Sequence, residues 1–356
     1  FIYKMQSRGV VSVFIPIESR LILVFIGLIL ITPGEQIFDR LDLPLTLFKL
    51  FVLVTVFSQI LLESDNLFKI PFYGLLIGLA YTSGDLFTTV IADSTRLGSV
   101  IKNPNVYAAY LIFISMVSYA YLHLSGKPSL KKKALLFVIV ILSMTQILVY
   151  TGSRKGIILG VLMILYFSYK NMINAKGLLR KFFLFIMLIV SIYIGAGYIS
   201  ETPYWHRVEN ILHFADGNAA DTSITERWTM LLQGLELFSE SPIYGWGAKG
   251  YESLSTGFLG YKSYSHSNYI ELMANHGIVG LFIYYSIFMT VLVKLFRRSK
   301  IDAQFRENWA NWGYVMIGYL LIFDIQAVTY YDKLTWIIYL VVLALLYKPN
   351  KFTENF

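Results

Sequence analysis

A chain of 356 residues that is 56% hydrophobic and only 15% charged does not have the make-up of a water-soluble domain, in which about a quarter of residues are charged. It has that of an integral membrane protein, whose net charge of +8 belongs to cytoplasmic loops, so no nucleic-acid partner is expected. The lack of cysteine excludes disulfide and thiolate chemistry.

Crossing the hydrocarbon core takes a helix of about 20 mostly apolar residues. Spans are predicted near 17–33, 43–62, 70–83, 104–124, 134–151, 156–169, 181–199, 268–294, 310–329 and 333–347, ten in all. Glu18 and Arg20 interrupt the first, and residues 10–16 offer an interfacial helix in its place. The segments 70–83 and 156–169 are short, which allows extended, tilted or re-entrant forms. Phe1 to Ser19 lacks the cleavage site of a signal peptide, and Phe1 is not a Met, which leaves room for spans before it. The expected fold class is all-α, a polytopic membrane helical bundle. Its parts are N-terminal transmembrane helices (1–199), one large extracytoplasmic loop (200–265) and C-terminal transmembrane helices (266–356), together a single membrane domain.

Orientation follows from the basic residues. With a cytoplasmic N-terminus, the inside loops hold Lys127, Lys131, Lys132 and Lys133, then Lys170, Lys176 and Arg180, then Lys294, Arg297, Arg298, Lys300 and Arg306. The positive-inside rule then puts 200–265 outside, with 85–102 and the turn 151–155 on the same face. Within the long loop, Ser223-Ile224-Thr225-Glu226 has capping-box spacing. Trp228, Leu231, Leu232, Leu235 and Phe238 recur at helical period until Ser241-Pro242 stops them, which predicts an amphipathic helix across the mouth of the bundle. Three glycines in Tyr244-Gly245-Trp246-Gly247-Ala248-Lys249-Gly250 allow tight turns.

The outer face carries the groups suited to chemistry. His266 can accept a proton from a sugar hydroxyl as general base, or be an interfacial histidine bonded to backbone. Arg154, flanked by Ser153 and Lys155, can hold phosphate oxygens in bidentate fashion, or snorkel from a span end. Arg227 sits in the first turn of the capped helix, where a cation opposes the helix dipole unless an anion binds nearby. Its other reading is a surface pair with Asp221 or Glu226. Arg207 and Arg96 are further outer cations, and the aromatics of the loop suit sugar stacking or an interfacial belt. There is no Walker A loop, no His/Cys metal spacing and no Asp-x-Asp pair in the outer loops, so no nucleotide, metal or other cofactor is expected.

His266-Ser267, nine residues, then Gly277-Ile278-Val279-Gly280 resembles a signature of the bacterial O-antigen ligase/polymerase family. Other pieces resemble it in order: Arg96 with Asn103-Pro104-Asn105, Thr151 to Gly156, Arg227 ahead of Ser241 to Gly247, and Ser265 to Tyr269, across about residues 85 to 300. The resemblance implies a GT-C-like membrane glycosyltransferase of the bacterial inner membrane, active on the periplasmic or extracellular side. Its donor would be an undecaprenyl-pyrophosphate-linked oligosaccharide and its acceptor a glycan, without metal. Arg154 and Arg227 would grip the pyrophosphate and His266 would activate the acceptor hydroxyl. Ser153, Lys155, Arg207, Arg96, Asn268 and Tyr269 would bind pyrophosphate or sugar. The family commonly has about twelve spans against the ten found here, so an expectation of 10–12 covers both. The wording of Thr151 to Gly156 and of His266 to Leu272 leans towards a polymerase of repeat units, for which a chain-length regulator is a candidate partner. A ligase acting on lipid A core and a flippase without chemistry are the alternatives.

Overall fold

The computed structural model describes residues 16–32, 37–63, 69–90, 104–124, 129–147, 151, 153–173, 177, 189 and 222–347. Every regular element among them is helical. The main ones are α1 (Ile17–Ile31), α2 (Ile37–Glu63), α3 (Lys69–Val90), α4 (Pro104–Leu124), α5 (Leu130–Gln146), α6 (Arg154–Ile173), α7 (Thr222–Glu240), α8 (Gly250–Leu259), α9 (Asn268–Ile301), α10 (Asn311–Asp324) and α11 (Lys333–Tyr347), with short helical turns at Ala303–Phe305 and Arg306–Ala310 between α9 and α10. The chain divides into two compact units, Phe1–Ile70 with Arg227–Phe356, and Pro71–Glu226.

In the Pro71–Glu226 unit α4 is the central helix. Leu111 to Ala120 is buried without a break, the pattern of a helix enclosed on all sides. α5 and α6 pack against it. The Tyr119 and Phe167 rings stack at 4.1 Å, and the Tyr107 hydroxyl donates to Gln146.

In the other unit α11 has the same role, buried from Ile338 to Leu346 and packed against α2 and α10, while α1 lies against α9. Glu18 and Arg20 do not break α1. The Glu18 carboxylate is fully buried because the Lys294 ammonium pairs with it and the Tyr347 hydroxyl donates to it at 2.8 Å. A buried charge is tolerated when it is paired and hydrogen-bonded in this way.

Among the described residues, three helices are long and apolar enough to cross a membrane, within Leu41–Ser58, Asn105–Leu122 and Asn268–Ile301. Pro71–Thr82, Leu159–Tyr169 and Lys333–Tyr347 are apolar but shorter. Helices stand at every predicted span except 181–199, of which residue 189 alone is described; 10–15 of the suggested interfacial helix lie outside the described residues.

Two local expectations need correction. α7 starts at Thr222, so Ser223 lies within its first turn rather than ahead of it as a cap. Its apolar residues also split into two faces. Met230 is buried and Leu231 and Leu237 pack beside it, while Trp228, Leu232 and Leu235 are exposed. The tight turns expected at 244–250 are present, with Gly245 and Gly247 at positive φ, and a second helix, α8, follows them where no helix was expected. Tyr251, Leu254, Ser255, Phe258 and Leu259 carried its helical period in the sequence.

Candidate functional site

The two glycines of Gly277-Ile278-Val279-Gly280 mark a break in α9. Gly277 has φ 62° and ψ −164°, a conformation essentially confined to glycine. In an unbroken helix the Ile278 N–H would bond the Ala274 carbonyl, and the Val279 N–H the Asn275 carbonyl. Here the segment Pro242–Gly247 takes both sides of those bonds. Trp246 and Gly247 N–H groups donate to the Ala274 and Asn275 carbonyls at 2.9 and 2.7 Å. Ile278 and Val279 N–H groups donate to the Pro242 and Ile243 carbonyls at 2.8 and 3.3 Å. The approach is too close for a side chain: a Cβ on Gly245 (φ 69°) would sit 2.4 Å from the Asn275 carbonyl carbon. Two stretches that the sequence presents as separate motifs are therefore one interlocked structure.

The segment leads into α8, and Asn275 secures the junction. Its Oδ1 accepts the Tyr251 N–H at 2.7 Å, and its Nδ2 donates to Glu271 at 3.4 Å. The Tyr251 hydroxyl reaches the Met230 carbonyl of α7 at 2.9 Å. Met230, Tyr251, Ile270 and Ala274 form a small core under these helices.

His266 stands on this base. Its backbone is left-handed, φ 59°, a conformation that non-glycine residues adopt at a cost of roughly 1–2 kcal/mol. The residues on each side hold it there. The Ser265 N–H donates to the buried Glu271 carboxylate at 2.7 Å. The Ser265 hydroxyl donates to the Ser267 carbonyl at 2.7 Å and accepts the Ser267 N–H at 3.2 Å. Each hydrogen bond is worth about 1 kcal/mol net, so together they are comparable with the strain. The imidazole lies 4.2 Å from the Tyr264 ring and remains partly exposed, within reach of a ligand. Burial first, and the Glu271 carboxylate second, raise the phenols of Tyr251 and Tyr331, so both remain protonated donors.

Asn268 has no exposed surface, and all its hydrogen-bonding capacity is used internally. Nδ2 donates to Tyr285 at 3.1 Å and to Asp324 at 3.2 Å, while Oδ1 accepts from the Thr329 and Tyr330 N–H groups at 2.9 and 3.0 Å. This is a positioning role, joining the start of α9 to the α10–α11 turn, in place of the sugar contact suggested by sequence. Tyr269 stacks on Tyr285 at 4.8 Å and donates to the Leu321 carbonyl at 3.1 Å. No role was expected from the sequence for Asn275, Asp324, Thr329 or Tyr330. His276 was missed too. Fully buried, it packs edge-on to Phe25 and Tyr330.

In the Pro71–Glu226 unit, Ser153 caps α6. Its hydroxyl accepts the Gly156 N–H at 3.1 Å and donates to Asn105 Oδ1 at 2.8 Å, so two of the expected motifs meet. Gly156 is needed where α6 passes α4, since a Cβ there would lie 2.6 Å from that of Ala108. Arg154 and Lys155 are the first residues of α6, but their side chains lie outside the described residues. Arg227 is exposed near the start of α7. Arg96 and Arg207 lie outside the described residues.

Residues 136–285 match the family model described as O-antigen ligase. That range runs from α5 through the α6 cap to Tyr285, so it includes the His266 turn and the break in α9. A protein of Haemophilus influenzae described as an uncharacterized protein is 27% identical over 197 residues, which are 49% of this chain and 46% of that protein. The match therefore spans less than half of the relative's length.

Proposed function

We propose that the chain, whose residues 136–285 match the O-antigen ligase family model, is a membrane glycosyltransferase that polymerises lipid-linked repeat units. It transfers an oligosaccharide from undecaprenyl pyrophosphate to a hydroxyl of an acceptor glycan on the extracytoplasmic side. The observation that carries this reading is the His266 turn: a partly exposed histidine whose left-handed backbone is flanked by Ser265, itself bonded to Glu271, at the start of an apolar helix. Strain maintained by its surroundings at a titratable side chain is characteristic of functional sites.

In the proposed reaction His266 takes the proton of the acceptor hydroxyl as its oxygen attacks the anomeric carbon. The sugar–phosphate bond breaks and the pyrophosphate leaves with the electron pair. Arg154 and Arg227 are assigned to the leaving pyrophosphate, with Lys155, Arg207 and Arg96 as further cations for pyrophosphate or sugar. Each such contact made in the transition state contributes on the order of 10²–10³ in rate. The prenyl chain lies against the apolar helices.

A ligase is the second reading, favoured by the description of the family model. The two differ in acceptor alone. The test is turnover by the purified protein in liposomes given lipid-linked repeat units, with either a second repeat unit or a lipid A core as acceptor. Elongation on repeat units that is lost in His266→Ala and Arg154→Ala proteins is expected. Folded variants that build long glycans at the normal rate would refute the assignment, and transfer to lipid A core alone would establish the ligase.

A further inference from the structure

The unit that carries the His266 turn also has a half-open cavity of ≈ 340 Å³ to which the reaction above gives no role. Asp42, Lys249, Glu252, Tyr264, Glu271 and Tyr331 are among its walls. The volume lies at the small end of the roughly 300–1,000 Å³ of ligand sites, suited to a single ring rather than a chain.

The lining narrows the ligand. Three carboxyl groups (Asp42, Glu252, Glu271) face one ammonium (Lys249), so a pyrophosphate or an acidic sugar would meet like charge. A prenyl tail would leave those groups without water or partners. Among the described residues no group of His, Cys, Asp and Glu is arranged to hold a metal ion. A neutral polyhydroxylated ring satisfies the wall. Its hydroxyls donate to the carboxylates and accept from Lys249, and its C–H face lies on the tyrosine rings.

Backbone strain points to the same place. Among the described residues Lys249 and His266 are the two non-glycine residues with positive φ, 61° and 59°. Lys249 lines the cavity, and Tyr264, which also lines it, has its ring 4.2 Å from the His266 imidazole. Lys249 is held by its neighbours: the Gly247 N–H is bonded into the break of α9 at 2.7 Å, and the Gly250 N–H returns to the Gly247 carbonyl at 2.9 Å.

We propose that this cavity binds one uncharged sugar unit and discriminates against acidic sugars. Resting on the transferase reading, that unit is the acceptor, presented beside His266. Saturation-transfer NMR on the purified full chain in detergent, with N-acetylglucosamine and glucuronic acid as probes, tests it. The neutral probe should receive saturation and glucuronate should not. Tyr331→Ala should reduce the neutral signal to background, and Glu252→Gln should raise glucuronate binding on the order of tenfold. Equal signals from both probes in the unmodified protein, or a neutral signal that survives both Tyr331→Ala and Lys249→Ala, would overturn the proposal. Binding is read without turnover. A protein that binds N-acetylglucosamine but transfers no glycan would sink the transferase reading alone, and normal transfer without probe binding would sink the cavity assignment alone.

Discussion

Replacing Gly277 with alanine perturbs the molecule at a point where the cost can be worked out. The backbone at φ 62°, ψ −164° is strained for any residue with a Cβ, by roughly 1–3 kcal/mol. That Cβ would also lie 2.3 Å from the carbonyl carbon and oxygen of Ile243 and 2.6 Å from the Tyr244 nitrogen, all backbone atoms that no rotamer change can remove. Relief requires residues 242–247 to back away, breaking some of the four hydrogen bonds that close the interlock, each worth about 1 kcal/mol net. The sum is about 3–5 kcal/mol, a shift on the order of 10 °C in the unfolding midpoint. Thermal unfolding in detergent, followed by size-exclusion chromatography with fluorescence detection, measures it. Gly257→Ala is the control, since a Cβ there meets nothing within 4 Å, and it should be neutral or slightly stabilising. A Gly277→Ala protein that unfolds at the same temperature as the Gly257→Ala protein would refute the interlock.

Glu271→Ala removes the acceptor that holds the Ser265 N–H and should lower turnover about tenfold or more by releasing the His266 turn, while Glu271→Gln, which keeps an acceptor oxygen, should retain more activity; turnover in liposomes reads both. Asn268→Ala loses four hydrogen bonds at a fully buried site and should destabilise by about 2–4 kcal/mol, seen in the same thermal assay. Lys294→Met leaves the buried Glu18 carboxylate without its cation and should cost about 3 kcal/mol, whereas Glu18→Gln with Lys294→Met should recover part of that loss. Ser153→Ala, which uncaps α6, should cost about 1 kcal/mol and leave Asn105 short of a donor.

Much of the architecture was legible because hydropathy reports it directly. The span 104–124 coincides with α4, and 333–347 with α11, since an enclosed helix is apolar on every side and its polar ends stand out. The long extramembrane segment was read less well. α7 has apolar residues on two faces, so periodicity revealed the helix without showing which face is buried. α8 was obscured by the glycines before it, which are there to meet the break in α9. At the candidate site, the sequence pointed to His266 because it opens the return helix and stands nine residues and a serine ahead of Gly277-Ile278-Val279-Gly280. It did not reveal that Glu271 and Asn275, one turn and two turns into an apolar helix, hold that loop. Their partners, the Ser265 and Tyr251 amides, come from other segments, and no local pattern records such pairings. Asn268 stood beside His266 in the motif and was read as a ligand contact, but burial and four internal partners make it a joint between helices.

The replacement of two helical hydrogen bonds by a segment from elsewhere in the chain has a consequence for chimeras. Residues 242–247 and 274–280 are lock and key, and neither keeps its shape by itself. A graft from a relative that imports one of them should produce a protein that misfolds around α9, and importing both together should restore folding. Natural variation at either stretch is then constrained by the other, so the pair is inherited as a single module across the 26 residues that separate them.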